Sequence, residues 1–218
     1  MSLFAHTDER LAELPGGTGG DLSALERLAA EGLLVSKWAL AGAAQAGCIA
    51  LMAWSIGKGA TSFDSAMAWA ARYGQTEAMA WCAGKGATLF NWAMAEAALG
   101  DHIEAMAWCA EKGATDFELA MHWAAEHGQL KAMRWCAAAG RFARGGRAFS
   151  IALVWAVNGD SSEAAELCLS WGGDINWPGM KKTAWVEAVH AGEITVEPQD
   201  PPEVFVPHDP LGGFRSCD

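Results

Sequence analysis

Basic residues are scarce in this chain. Its 218 residues include 15 lysines and arginines against 26 aspartates and glutamates, which gives a formal net charge of −11. Phosphate binding requires clustered positive charge, so this balance argues against nucleic acid as a partner. A basic protein partner, or solubility alone, fits the negative charge better.

The sequence also lacks the motifs of familiar enzyme classes. It has no phosphate-binding loop, no G-x-S-x-G and no H-E-x-x-H. No pair among His102, His122, His127 and His190 has the i, i+4 spacing of metal ligands beside a carboxylate. We therefore expect no catalytic residues, no metal and no cofactor.

Targeting and membrane-spanning segments are not indicated either. The first 20 residues are irregular and contain acids without a long apolar run, which is not the pattern of a signal peptide. The stretch from Trp38 to Gly57 has no charge, and its length is that of a membrane span. However, it is rich in alanine and is interrupted by Gly42, Gln45 and Gly47, which disfavours insertion. We expect a cytoplasmic protein with reduced cysteines.

What the sequence does contain is one pattern repeated every 27 residues. Five residue types keep this step: Trp54, Trp81, Trp108 and Trp135; Met52, Met79, Met106 and Met133; Gly59, Gly86, Gly113 and Gly140; Phe63, Phe90 and Phe117; Cys82, Cys109 and Cys136. A fixed period of this length indicates a repeat array. A cysteine copied in every repeat is expected to be a small buried apolar residue, not a nucleophile.

Each repeat is predicted to form two short helices. In residues 64–86 the first helix runs from Asp64, a candidate N-cap, to Tyr73, and the second from Gln75 to Lys85. Gly74 and Gly86 follow the two helix ends, where glycine accepts positive φ. Helices of about ten residues are marginal alone in water, so their stability must come from stacking on neighbouring repeats.

The chain resembles the ankyrin repeat family over roughly residues 22–193. Residues 172–176 (GGDIN) and 183–192 (TAWVEAVHAG) resemble the end of one ankyrin unit and the first helix of the next, and Gly159 precedes Gly192 by 33 residues. Residues 70–81 (AARYGQTEAMAW) resemble shortened ankyrin-like repeats. The T-P-L-H signature is absent, with only His122 at its histidine position. The middle units lack about six residues, which would shorten or delete the β-hairpin fingers.

The resemblance implies an all-α solenoid of about five stacked helix-turn-helix units with capping ends. We expect an irregular arm over residues 1–20, the array over 21–193, and an acidic, proline-rich tail over 194–218. A capping helix is predicted from Asp21 to Gly32. In the tail, Val204, Phe205 and Val206 form an apolar cluster, which either docks on the array or belongs to a disordered segment.

In ankyrin arrays the first helices line the concave face, and partners contact its variable positions. Alignment of the units places the following residues there: Gly42, Trp69, Glu96, Trp123, Val154 and Glu187, together with Arg72-Tyr73, Leu99-Gly100, Glu126-His127 and Val157-Asn158. From this set the resemblance implies partner binding by Trp69, Arg72, Tyr73, Glu96, Trp123, Glu126, His127, Val154 and Glu187. Exposed tryptophans are typical of binding hot spots. The alternative is that Trp69 and Trp123 fill the space of the missing fingers.

A second candidate contact is the loop that lengthens the next unit. Arg141, Arg144 and Arg147 stand in it without a nearby acid. They would contact an acidic peptide or another anion, or they are simply solvated in a glycine-rich loop. We expect a monomeric, non-catalytic scaffold that binds another protein. The alternative is an acidic inhibitor or immunity-type protein that masks a basic enzyme.

Overall fold

A computed structural model describes residues 35–202 of the chain, with side chains from residue 39 onward. These residues form eleven helices and no β-strand: α1 (Val35–Gln45), α2 (Ile49–Gly57), α3 (Phe63–Arg72), α4 (Thr76–Gly84), α5 (Phe90–Leu99), α6 (Ile103–Glu111), α7 (Phe117–Glu126), α8 (Leu130–Ala139), α9 (Arg147–Asn158), α10 (Ser162–Ser170) and α11 (Ala184–His190). The prediction of an all-α fold is confirmed for this part. The predicted arm over 1–20, the capping helix at 21–32 and the cluster at 204–206 lie outside the described residues.

The described chain divides into two compact units, one ending at Ala114 and the other beginning at Thr115. We call α1, α3, α5, α7, α9 and α11 the first helices, and α2, α4, α6, α8 and α10 the second helices. In the first unit each first helix packs against its own second helix, and α3 packs between α1 and α5. In the second unit α7 packs against α8 and α9, and α9 packs against α10. This sequential packing is compatible with an α-solenoid.

Methionine and alanine at repeat-equivalent positions build the core of both units. The first helices bury Met67, Met94 and Met121, and the second helices bury Met52, Met79, Met106 and Met133. Burying one such side chain stabilises the fold by roughly 1.5–3 kcal/mol. Small residues lie between the first helices, as at Ala66, Ala70 and Ala71, which are inaccessible to solvent. The absence of a larger side chain there lets the backbones approach closely.

The helix bounds agree with the sequence to within one or two residues, but the expected N-cap at Asp64 is wrong. The N-cap of α3 is Ser62, and Asp64 lies in the first turn of the helix. Its Oδ1 instead accepts hydrogen bonds from the backbone amides of Thr88, at 2.7 Å, and Leu89, at 2.9 Å. Leu89 is the N-cap residue of α5. Asp64 therefore stabilises the beginning of the first helix in the next repeat.

The glycines that follow first helices have two different roles. Gly74 takes the expected left-handed conformation, with φ of 70°. After α5 and α9 the left-handed residues are Asp101 and Asp160, with φ of 59° and 56°, and not the preceding glycines.

Gly100 and Gly159 are required for a different reason, which is space. A Cβ on Gly100 would lie 2.1 Å from the carbonyl oxygen of Arg72, and one on Gly159 would lie 1.8 Å from that of Glu126. Neighbouring first helices thus touch through these glycines.

The repeated cysteines are buried, as predicted. Cys82, Cys109, Cys136 and Cys168 are all inaccessible to solvent and carry free thiols. Burial raises the pKa of Cys82, with a smaller contribution from Asp64, and that of Cys109, each to about 12. Burial alone raises the pKa of Cys136 and Cys168 further. These thiols stay protonated and act as small apolar groups.

The uncharged stretch from Trp38 to Gly57 is divided between α1 and α2, with a turn at Gly47. Within the described residues no helix has both the length and the apolar character needed to cross a bilayer. Residues 174–179 form two consecutive turns and no β-strand. In these turns the Trp177 amide donates to the Asp174 carbonyl.

Candidate functional site

The first unit has a cluster of aromatic and charged side chains at the carboxyl-terminal half of α3. The rings of Trp69 and Tyr73 are one helical turn apart and stack with their centroids separated by 6.3 Å and their planes at 17°. The guanidinium carbon of Arg72 lies 5.5 Å from the centroid of the Trp69 ring. Three of the predicted partner-binding residues thus contact one another.

The neighbouring first helix α5 completes this cluster. Glu96 Oε2 lies 3.6 Å from Arg72 Nη1, and Glu96 Oε1 accepts a hydrogen bond of 3.2 Å from Trp92 Nε1. We refer to Trp69, Arg72, Tyr73, Trp92 and Glu96 as the Trp69 cluster. Trp92 was not among the predicted residues, although it precedes Glu96 by four residues, the spacing at which helical side chains meet.

The Trp69 cluster is partly open to solvent. Tyr73 is 42% exposed, whereas Trp69 and Trp92 are half-buried. The side chain of Arg72 is 37% exposed and that of Glu96 only 12%. The Trp69 ring therefore packs against its neighbours and still reaches the surface. A rigid aromatic surface beside a held charge pair is typical of a protein-binding hot spot.

In the second unit three of the predicted residues lie at the carboxyl-terminal end of α7, whose C-cap residue is His127. Trp123 and Glu126 are half-buried, and His127 is exposed. The imidazole Nδ1 of His127 lies 3.0 Å from the Trp123 carbonyl oxygen, so the ring turns back onto its own helix. The structure thus places Trp123, Glu126 and His127 together at the carboxyl-terminal end of α7.

The other predicted residues of the second unit are more dispersed. Val154 is half-buried on α9, which packs against α7, and Glu187 is exposed on α11. Trp155 was not among the predicted residues; it is 37% exposed and stacks on His122 with ring centroids 6.3 Å apart. Burial lowers the pKa of His122, against opposing effects of Glu118 and Asp116 and with a smaller lowering by Arg147.

The loop that contains Arg141 and Arg144, which we call the arginine loop, makes specific packing and hydrogen-bond contacts. Phe142 contacts Phe149 edge-on at 6.1 Å, and the Gly145 amide donates to the Trp171 carbonyl at 2.8 Å. Arg141, Arg144 and Arg147 are exposed. Arg144 pairs with Asp200 at 3.2 Å.

The beginning of the acidic tail is thus held against this loop. The adjacent Gln199 amide donates to the Ser170 carbonyl, at 2.8 Å. These two contacts hold residues 199–200 against the second unit.

The second helices of the first unit carry a separate set of contacts. The ammonium groups of Lys58, Lys85 and Lys112 lie 5.4–5.6 Å from the ring centroids of Trp54, Trp81 and Trp108. Each lysine is the C-cap residue of its helix, where the helix dipole favours a cation. These contacts reinforce helix ends, because each joins residues four positions apart.

Chemistry-bearing groups do not converge elsewhere in the described chain. A cleft of about 220 Å³ lies in the second unit between the end of α9, the start of α10 and α11, and Val157, Ser161 and Trp185 form part of its wall. Within residues 35–202 no three histidine, cysteine or acidic side chains come together as metal ligands would. Neither a protein-family model nor a curated protein matches the chain.

Proposed function

We propose that this protein is a non-catalytic interaction scaffold of the ankyrin-like kind, with about five repeats, which binds another protein through the exposed surfaces of its first helices. In ankyrin arrays these surfaces form the concave face. The observation that carries the proposal is the Trp69 cluster, in which stacked aromatic rings and a charge pair meet at the surface. Its residues come from consecutive first helices, as ankyrin-like binding requires.

Contacts within the Trp69 cluster hold its side chains in fixed positions. Stacking fixes the two rings, and the contacts of Arg72 and Glu96 fix the charges between α3 and α5. A partner would therefore lose little conformational entropy of this surface on binding. A tryptophan and a tyrosine that remain partly solvated also offer apolar area that a partner can cover.

The proposal is tested by affinity capture with the full chain as bait and extract from its source cells as prey. Wild type is compared with Trp69→Ala/Tyr73→Ala and with the control Leu89→Ala, which removes another apolar side chain that is 51% exposed. We expect the same partner on the wild-type and control baits and at least about tenfold less on the double variant. Equal capture by all three baits, or no specific partner on wild type, would contradict the proposal.

The net charge of −11 favours a second candidate, an acidic inhibitor that masks a basic enzyme. The two candidates differ in their dependence on salt. Charge-steered association should slow steeply between about 0.05 and 0.5 M NaCl, because the Debye length falls to a few ångströms. Binding dominated by the aromatic surface should change little over this range.

A further inference from the structure

The first unit contains an internal example of a cation bound to a first-helix tryptophan. The guanidinium of Arg72 lies over the ring of Trp69 and beside the carboxylate of Glu96, so it is held between an aromatic face and a negative charge. Guanidinium groups suit this arrangement, because they are planar, weakly hydrated and able to stack on aromatic rings. Such a contact is worth about 0.5–1 kcal/mol where it is partly exposed.

Trp123 is the repeat-equivalent residue of the second unit, two periods of 27 residues after Trp69. The position of Arg72 is occupied here by Glu126, and that of Tyr73 by His127. The aromatic ring is thus retained, while the internal cation is replaced by a carboxylate.

Among the residues that the structure describes, no lysine or arginine lies over the ring of Trp123. The four cations that do lie over tryptophan rings in the described chain are Lys58, Arg72, Lys85 and Lys112. Their rings are those of Trp54, Trp69, Trp81 and Trp108. The described ion pairs likewise do not include Glu126. Both side chains are half-buried and so retain contact with solvent.

The local chemistry complements a basic side chain with an aliphatic stem. Trp123 and Glu126 are three residues apart on α7, which places them on neighbouring positions of one helix face. The facing helix α9 supplies Val154, an apolar residue at the position that Glu96 occupies in the first unit. The formal charge of −11 favours the approach of a basic partner over long distances.

We propose that Trp123 and Glu126 form a site for an arginine side chain in a basic segment of the protein partner. The partner's guanidinium takes the place over Trp123 that Arg72 takes over Trp69, and it pairs with Glu126. This proposal rests on the proposed function, because it names the chemistry that the partner presents to α7. In the first unit Arg72 itself fills the equivalent place, so that position is closed to a partner's arginine.

The test uses the full chain with ¹⁵N-labelled tryptophan and follows the indole N–H signals by NMR. The signals of Trp123 and Trp69 are assigned with Trp123→Phe and Trp69→Phe. The probe is the peptide acetyl-Gly-Arg-Gly-amide, and its control contains citrulline, which keeps the shape of arginine but lacks the charge. We expect a saturable shift of the Trp123 signal that is about three- to fivefold weaker with citrulline.

Two matched variants separate the site from the overall charge. Glu126→Gln and Glu166→Gln each remove one negative charge, and Glu166 is exposed on α10. Only Glu126→Gln should weaken the binding of the arginine peptide. A third variant, Arg72→Gln, should make the Trp69 signal respond to the arginine peptide, because it removes the internal cation.

The proposal is overturned if the Trp123 signal does not move, if citrulline is as effective as arginine, or if Glu166→Gln weakens binding as much as Glu126→Gln. A lysine peptide of equal affinity would overturn the assignment to arginine. These results leave the proposed function untouched, since capture of a partner depends there on Trp69 and Tyr73. If Trp69→Ala/Tyr73→Ala abolishes capture while the Trp123 signal does not respond to the arginine peptide, the partner binds the Trp69 cluster but does not present arginine to α7.

Discussion

Trp108 and Trp135 occupy the same position in consecutive repeats, yet their surroundings differ. Trp108, on α6 of the first unit, is half-buried and contacts Phe90 edge-on, and the ammonium of Lys112 lies over its ring. Trp135, on α8 of the second unit, is only 6% exposed and packs against Phe117. Ala139 stands where the lysine would be. The aromatic contact is copied from one repeat to the next, whereas the charged contact is not.

The same division separates the buried and exposed halves of every repeat. Methionine, alanine and cysteine recur in both units and are buried in both. The half-buried positions of the first helices change from Trp69 with Arg72 to Trp123 with Glu126. Packing therefore explains the period of the chain, and under the proposed function the departures from the period mark the surface on which a partner is recognised.

The largest expected effect on stability comes from removing Trp135, the buried tryptophan of this pair. Trp135→Ala should lower the free energy of unfolding by about 3–5 kcal/mol, because it removes a buried aromatic residue and leaves a cavity. Trp108→Ala should cost only about 1–2 kcal/mol, since that ring is already partly solvated. Urea unfolding followed by circular dichroism measures both values. Equal losses would show that burial does not distinguish the two tryptophans.

A smaller effect is expected where the first helices of the second unit touch. Gly159→Ala should destabilise the protein by about 1–3 kcal/mol, because the new Cβ would collide with the Glu126 carbonyl. The matched control is Gly84→Ala in the first unit. A Cβ there meets nothing within 4 Å, and the change should be neutral or stabilising by up to about 1 kcal/mol. A neutral Gly159→Ala would contradict close contact at this glycine.

The smallest effect concerns pH and the second unit alone. His122 stands where Ala68 and Ala95 stand in the first unit, and burial lowers its pKa. The unfolded chain therefore takes up the proton at a higher pH than the folded one, so stability is lost as the pH falls below about 6.5.

His122→Ala restores the residue of the first unit and tests this prediction. The wild type should lose more stability than the variant between pH 7.5 and 5.5, as measured by the urea midpoint at each pH. Identical losses in the two proteins would mean that the proton on His122 is not linked to folding. Glu118 and Asp116 oppose the shift and Arg147 adds to it, so salt should alter its size.

Much of the fold could be predicted, because residues that recur every 27 positions indicate where each helix begins and ends. Helix α3 was expected at 64–73 and lies at Phe63–Arg72, and the buried cysteines were expected from their repetition. The grouping of Trp69, Arg72, Tyr73 and Glu96 also followed from alignment of the repeats.

What the sequence missed depends on contacts between repeats. Asp64 was expected to cap its own helix, but it accepts from the amides that precede the next first helix. Gly159 is needed for space, and the positive φ after α9 belongs to Asp160, which the repeat pattern does not indicate. Trp92 and Trp155 escaped notice because neither belongs to a periodic series. Such contacts depend on distances that only the packed helices define.

We infer that each helix pair is a stacking unit one period long. The most direct measurement is urea unfolding, followed by circular dichroism, of two internal deletions in the first unit. Deletion of residues 63–89 removes one full period of 27 residues and joins Ser62 to Phe90, so it should leave a helical chain that unfolds cooperatively with a smaller m-value. Deletion of residues 63–83 removes fewer residues but breaks the register, and it should abolish cooperative unfolding. If the shorter deletion were tolerated as well as the full period, or if neither protein folded, the stacking account would be contradicted.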